Sequence, residues 1–310
     1  MIRSRSYVLV NQNQEELVEK GLEQFDCVAN ADDVHHYIAD RIPAHWHREL
    51  EVFLLTSGSV RIGAGDRVHD LSAGEGCMIN SGVLHSFAAR SDAPCRFRSF
   101  VFDASILAGA PGSAFDTRYV RPFLAEGAAF IRFEKEKPAF VAPFEAAFAA
   151  CASEENGYEF AVRDALSRIL LLAEAQNSAL SAPAPAQQEE RIKRMLAWID
   201  AHLEGEIRMD ELARAAHVCP RVCQRLFRRY LHCRPMEYCM QRRILAAAWM
   251  LTATDAPITE IAMKYAFSSP SHFSHQFRQA TGATPSEYRK RGGSGEMQSR
   301  KERPAPEKNR

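Results

Sequence analysis

Residues 209–230 read MDELARAAHVCPRVCQRLFRRY, and residues 258–280 read ITEIAMKYAFSSPSHFSHQFRQA. Both follow one plan: a short amphipathic helix, a three-residue turn, and a second helix opened by proline. In the first block Leu212, Ala213 and Ala216 share one side of the leading helix, and residues 217–219 make the turn. Pro220 suits the first helical position, where its missing N–H has no partner in any case. The helix that follows sorts by face. Val222, Leu226, Phe227 and Tyr230 form an apolar stripe, while Arg221, Gln224, Arg225 and Arg228 recur at helical spacing on the other side. Arg pairs with guanine and Gln with adenine, so such a helix fits a DNA major groove. The second block repeats the arrangement. Ile258, Ile261 and Ala262 are the buried side, and Tyr265, Ala266 and Phe267 are the turn. Pro270 opens a helix with Phe273 and Phe277 inward and Ser271, Ser274, His275 and Arg278 outward. Seen singly, each polar face reads as solvated surface; the repetition favours recognition. Between the blocks, residues 236–252 predict one helix roughly 25 Å long. That length can hold two recognition helices in successive major grooves, about 34 Å apart.

The charge supports a polyanion partner for this half. The 310 residues carry 39 basic and 39 acidic side chains. Residues 189–291 hold 17 basic against 11 acidic, a net of +6, whereas residues 1–188 hold 17 against 25, a net of −8. Residues 178–188, SALSAPAPAQQ, have no apolar period, and their prolines favour an extended linker. The segment 292–310 has no core-forming residues and is expected to be a disordered tail. The longest aliphatic run is five residues, against about 20 for a membrane span, so no membrane association is expected. No secretory signal is evident and the eight cysteines are sparse, which points to the cytoplasm and against a disulfide scaffold. Cys219, Cys223, Cys233 and Cys239 lack zinc-site spacing and read as small core residues, as do Trp198 and Trp249.

Upstream of the linker the pattern is β. Short runs rich in Val, Ile and Phe, such as VFLL, SVRIGAG, RVHDL, GCMIN and FRSFVF, fall between Gly, Ser and Asp. Residues 139–176 change to helical spacing and predict two helices separated by Gly157. Residues 45–51, HWHRELE, place His45, His47 and Glu51 at one parity. On a single extended strand all three face the same side, into a barrel. His85 follows Gly74 and Gly82 on a later strand pair. Three imidazoles and a carboxylate suit Fe, Mn, Ni or Zn. The same groups can instead hydrogen-bond an organic ligand, with Trp46 beside them, or each other, in a metal-free pocket.

The spacing His45, His47, Glu51, Gly58 resembles the first motif of the cupin family, H-x-H-x3-E-x6-G. Gly74, Gly82 and His85 resemble its second motif, with Asn80 where proline is usual; together they cover about residues 35–103. The C-terminal half resembles the AraC family of bacterial transcription regulators. The likeness runs through Arg243, Ile244, Ala247, Leu251, Ile258, Ile261, Ala262, Phe267, His272, Phe273, Ser274, Phe277, Arg278, Gly282, Thr284, Pro285, Tyr288 and Arg289. It implies base contacts by Arg221, Val222, Gln224 and Arg225, and then by Ser271, His272, Ser274, His275 and Gln276. Ala266 and His232 stand where the family usually has glycine. A positive φ at either costs a non-glycine residue about 1–2 kcal/mol.

These readings give a multidomain α+β chain. Residues 1–177 form a cupin-like β-barrel with two following helices, which senses a small molecule. Residues 178–188 are a linker, and residues 189–291 form an all-α double helix-turn-helix domain. The resemblance implies a non-enzymatic regulator whose partners are promoter DNA, a small-molecule effector, RNA polymerase and a second copy of the chain. The helices of 139–176 are read either as that dimer's interface or as a cover for the barrel. No cofactor is required, and a divalent metal is an option at His45, His47, Glu51 and His85. The alternative from another class is a metal-dependent cupin enzyme, a dioxygenase or isomerase, carrying a DNA-targeting domain.

Overall fold

The computed structural model describes residues 2–3, 16, 25–135, 139–177 and 186–292. Most of the expected linker and all but the first residue of the expected tail lie outside the described residues.

The N-terminal half contains β1 (Ile2–Arg3), β2 (Cys27–Asp33), β3 (Arg41–His45), β4 (Leu50–Leu55), β5 (Ser59–Ala64) and β6 (Arg67–Ser72). It continues with β7 (Gly76–Ile79), β8 (His85–Ala89), β9 (Arg96–Phe102) and β10 (Phe130–Phe133). They build two sheets, ordered β1-β2-β9-β4-β7-β10 and β3-β8-β5-β6. All pairings are antiparallel except β1 with β2. The core between the sheets takes Phe53, Leu55, Ile79 and Phe97 from one and Ile42, Val60, Ile62 and Phe87 from the other. Phe53 stacks on both Phe87 and Phe97, with ring centroids 4.9 and 5.1 Å apart.

The opposite face of the six-stranded sheet is apolar too, and four helices bury it: α1 (Ser105–Ala108), α2 (Arg121–Glu126), α3 (Val141–Ser153) and α4 (Tyr158–Asn177). Phe140, Phe144 and Phe148 recur at helical spacing and meet Phe133 and Phe100 of the sheet. Gly76 is required by this packing, because a Cβ there would fall 2.2 Å from the Phe140 ring. Residues 139–176 therefore cover the sheet. Phe160 and Leu171, on the outer side of α4, are 77% and 52% exposed.

The C-terminal half is α5 (Ala186–Ala201), α6 (Met209–Ala215), α7 (Pro220–Tyr230), α8 (Pro235–Ala253), α9 (Ile258–Lys264), α10 (Pro270–Thr281) and α11 (Pro285–Arg291). Proline opens α7 and α10, as the pattern predicts, and it also opens α8, one residue earlier than expected, and α11. Arg243 and Arg289 of the family signature, and Arg242 beside it, tie helices together. Arg242 makes two hydrogen bonds of 2.9 and 3.0 Å to Asp200. Arg243 donates to the Leu203 carbonyl at 3.1 Å, and Arg289 to the Leu251 carbonyl at 3.2 Å. The Arg289 bond satisfies one of the open carbonyls in the last turn of α8, and the Arg243 bond a carbonyl just beyond α5. Cys223 and Cys239 are buried as expected; Cys219 is exposed, and Trp249 is 64% exposed rather than core.

Ala266 and His232 do adopt positive φ, 53° and 54°. Both sit at turns that leave a helix, where the chain needs the left-handed region. Replacing either with glycine, A266G or H232G, is expected to stabilise the domain by about 1 kcal/mol, since relief of the Cβ clash exceeds the entropy lost. Urea unfolding of each variant measures this, and an unchanged midpoint would mean the turn relaxes elsewhere.

Two expectations about the linker need correction. Residues 186–188 are the start of α5, because the helical pattern of Glu189 onward extends back through Gln188. The two halves also do not keep separate cores. Ala44 and Leu84 of the β domain, 8% and 2% exposed, are buried in the same apolar cluster as Ile192, Leu196, Leu226 and Phe227, and Trp46 packs against it. Arg229 of α7 reaches Asp66, in the turn after β5, at 2.9 Å.

Candidate functional site

The recognition faces are open. On α7, Arg221, Gln224, Arg225 and Arg228 are exposed and Val222 is half-buried, while Cys223, Leu226, Phe227 and Tyr230 face inward. On α10, Ser271 and His275 are exposed, and His272, Ser274 and Gln276 are half-buried. His272 is partly committed: its Nδ1 lies 3.0 Å from Ser268 Oγ, and its backbone N–H donates to the Ser269 cap at 3.1 Å. The first helix thus presents three exposed guanidinium groups at its recognition positions, the second small and imidazole groups, with Arg278 exposed farther along. Arg225→Ala is expected to weaken specific DNA binding by about 1–3 kcal/mol, the worth of a bidentate guanine contact. His275→Ala should cost less. Gel shifts on a selected operator rank the two, and an equal loss at His275 reverses the order of the helices.

The β domain brings His45, His47, Glu51 and His85 together, all buried. They are not on one strand. His45 ends β3, His47 lies just beyond it and Glu51 is on β4, so alternation sets the two histidines to one side and a turn brings Glu51 to them. One atom of each lies within 4.8 Å of those of the others. The three imidazoles share one arrangement. Nδ1 of His45, His47 and His85 lies 2.8, 3.0 and 2.8 Å from the carbonyls of Pro43, Glu49 and Val83. A carbonyl only accepts, so each Nδ1 carries a hydrogen, and in the neutral ring the Nε2 lone pair faces the centre. Nε2 of His47 and of His85 stand 3.5 and 3.2 Å from Glu51 Oε2, yet neither makes a hydrogen bond of good geometry.

Burial and the other two imidazoles hold the His45 pKa well below its ordinary value. For Glu51 burial acts upward, but His47 and His85 outweigh it and hold the carboxyl well below the usual carboxylate range. Burial lowers His47, and the adjacent Glu51 more than offsets it, so its pKa is raised. Glu16 was not singled out by any motif, and it lies among other acidic and amide residues, Gln14, Glu15 and Glu19. Its backbone N–H donates to the Trp46 carbonyl at 2.7 Å, and its carboxylate lies 3.7 Å from His45 Nε2.

The space among these groups decides what they can hold. The cavity bordered by Glu16, His45, Glu51 and Ser99 has a volume of about 40 Å³. Organic ligands occupy pockets of about 300–1,000 Å³, so the described residues leave room for an ion with a water or two. The donor set fits an ion: lone pairs converge, and each histidine is oriented by a second hydrogen bond through its other nitrogen, as in metal sites generally. Space of organic size lies elsewhere, in a cavity of about 430 Å³ between the halves, lined by Arg41, Ile42, Val68, Leu231, Ile244 and Leu245 among others.

Trp46 is not in the ligand position expected for it. The alternation that turns His45 and His47 inward turns Trp46 outward, where the Lys193 ammonium sits 4.5 Å from its ring centroid. Asn80, standing for the cupin proline, is buried. It donates from Nδ2 to the Phe123 carbonyl at 3.0 Å and accepts from the Ser81 N–H at 2.8 Å. It fixes the same turn by hydrogen bonds that proline fixes by its ring.

Two helix-turn-helix units on one scaffold, joined to a β domain with a buried polar site, define a DNA-binding regulator with a ligand-binding domain. Comparison with known proteins agrees. Residues 34–170 match the AraC-like ligand binding domain, and residues 212–291 match a helix-turn-helix domain. The chain is 38% identical over 100 residues to the regulatory protein SoxS of Escherichia coli (strain K12), covering 32% of this chain and 94% of SoxS. It is 23% identical over 311 residues to the HTH-type transcriptional regulator YdeC of Bacillus subtilis (strain 168), covering 91% of this chain and 98% of YdeC. Among solved structures, ToxT from Vibrio cholerae O395 aligns with 80% of this chain and 91% of its own, at 13% identity and a TM-score of 0.44. The chain belongs to the AraC family of transcription regulators. None of its described helices is long and apolar enough to cross a membrane.

Proposed function

We propose that this protein is a non-enzymatic, cytoplasmic regulator whose control ligand is a divalent transition-metal ion. His45, His47, Glu51 and His85 of the cupin-like barrel hold the ion, and α7 and α10 hold promoter DNA. The buried, unpartnered Nε2 atoms of His47 and His85 carry the reading. A buried polar atom without a partner costs about 1–3 kcal/mol, and coordination of an ion removes that cost. When bound, the ion supplies a fixed positive charge that neutralises Glu51 and draws the three imidazoles to one centre. Among the described residues the cavity beside His45 and Glu51, about 40 Å³, is small for an organic substrate, which weighs against the dioxygenase or isomerase reading.

Metal-free full-length protein titrated with Zn²⁺, Mn²⁺, Ni²⁺ or Fe²⁺ is expected to take up one equivalent of at least one of them, with heat and proton release. A chain that binds none of the four sinks the reading. We also read the protein as a homodimer that meets RNA polymerase at its promoter. Phe160 and Leu171 support the dimer: eleven residues apart, they lie within about 20° of each other around α4 and are both exposed. Sedimentation of Leu171→Glu beside the wild type tests it, and equal mass for both moves the interface elsewhere.

A further inference from the structure

The segment 81–85, between β7 and β8, has two sides. One side is fixed to the histidine site. Gly82 N–H donates to the His47 carbonyl at 2.8 Å, Ser81 Oγ to the Arg48 carbonyl at 2.6 Å, and His85 Nδ1 to the Val83 carbonyl at 2.8 Å. The other side is fixed to α5, the first helix of the DNA-binding half. Leu84 N–H donates to Glu189 Oε1 at 2.7 Å, and Lys193 Nζ donates to the Gly82 carbonyl. Glu189 and Lys193 lie one helical turn apart, 3.4 Å from each other, with side chains only 15% and 16% exposed. Lys193 also covers the ring of Trp46, which separates His45 from His47.

Each of the three histidines is therefore next in sequence to a residue that α5 touches: Trp46 for His45 and His47, Leu84 for His85. Helix α5 in turn is locked to the reading helices. Ile192, Leu196 and Ile199 share a core with Leu212, Leu226 and Phe227, and Asp200 takes two hydrogen bonds from Arg242. A shift of α5 must carry α6 and α7 with it.

We propose that Glu189 and Lys193 are the residues through which occupancy of the histidine site sets the position of the DNA-binding half. The proposal rests on the ion reading above and names how that site regulates. An ion that pulls the Nε2 atoms together turns the rings of His47 and His85. Their Nδ1 bonds and the Gly82–His47 bond pass that motion to the segment 81–85. The carboxylate and ammonium on α5, each bonded to that segment's backbone, follow it. Being partly buried and paired with backbone groups, they hold one geometry where two exposed side chains would slide.

The coupling is a free energy shared by two sites, so it is reciprocal: the factor by which metal changes DNA affinity equals the factor by which DNA changes metal affinity. The experiment uses full-length protein, Zn²⁺ or whichever of the four ions binds, and a duplex selected by the wild type from a random-sequence pool. Metal and DNA affinities are measured alone and together for wild type, Glu189→Met, Lys193→Met and the control Glu190→Gln, whose carboxylate pairs with Arg194 on the surface. The wild type and the control are expected to show a change of about five-fold or more. Glu189→Met and Lys193→Met should shrink it to less than about two-fold, with metal still bound and metal-free DNA affinity retained. Exchange of the Leu84 amide should quicken in both variants and should change on metal addition only in the wild type and control. Variants that bind metal and keep the full response overturn the inference and leave the ion reading standing. Failure of the wild type to bind any ion overturns both.

Discussion

Raising the salt from about 50 to 200 mM is expected to weaken binding of the full-length protein to its operator by about 250- to 1,000-fold. The estimate takes about four to six phosphate contacts, a slope of log K against log salt near −4 to −5, and a four-fold change in salt. The charge is in place for it. The +6 of residues 189–291 includes Arg221, Arg225 and Arg228, all exposed on one face of α7. Arg229 does not add to that face, because Asp66 of the β domain holds it. Asp66→Ala frees that guanidinium and is expected to steepen the slope by about one unit. Fluorescence anisotropy over five salt concentrations measures both, and a flat response in the wild type would remove phosphate contacts from the account.

The DNA-binding half was legible in the sequence because its signals are local. A proline at a helix start, an apolar stripe and a row of arginines each sit within four residues of what they act on, and α7 and α10 form where those signals lie. The histidine site was legible as a set of residues but not as a geometry. Spacing alone put His45, His47 and Glu51 on one strand, whereas a turn after β3 brings them together. Strands β2 and β10 carry few Val or Ile residues in alternation. They are strands because β9 and β7 pair with them, and such partners lie far away in the chain. The joined core was not legible at all. Ala44, Leu84, Glu189 and Lys193 are ordinary residues, and only their packing shows that the β domain and the DNA-binding half meet. Glu16 is a similar case, one of several glutamates in its stretch that becomes notable only through its distance to His45.

The largest effect expected from a point change in the β domain is on metal affinity. His47→Ala should weaken ion binding by at least about 100-fold, since loss of a residue that only orients a ligand already costs about 10- to 100-fold. Val83→Pro is not a substitute, because the His85 orientation depends on the Val83 carbonyl and its turn together. The fold should survive the His47 change: the imidazole removed has a Nε2 without a hydrogen bond, so its loss relieves one unsatisfied atom while opening a small cavity. Glu51 keeps His85, 3.2 Å away, as a neighbour. Because Trp46, Leu84 and Ala44 belong to the core shared with the DNA-binding half, loss of the ion should be felt at the DNA as loss of the metal response. The variant is expected to bind its operator with the affinity of the metal-free wild type and to stay there when metal is added. Calorimetry with Zn²⁺ beside a gel shift reads both. Unchanged metal affinity takes His47 out of the site, and a metal response that survives loss of binding at the cluster places the controlling ion elsewhere in the chain.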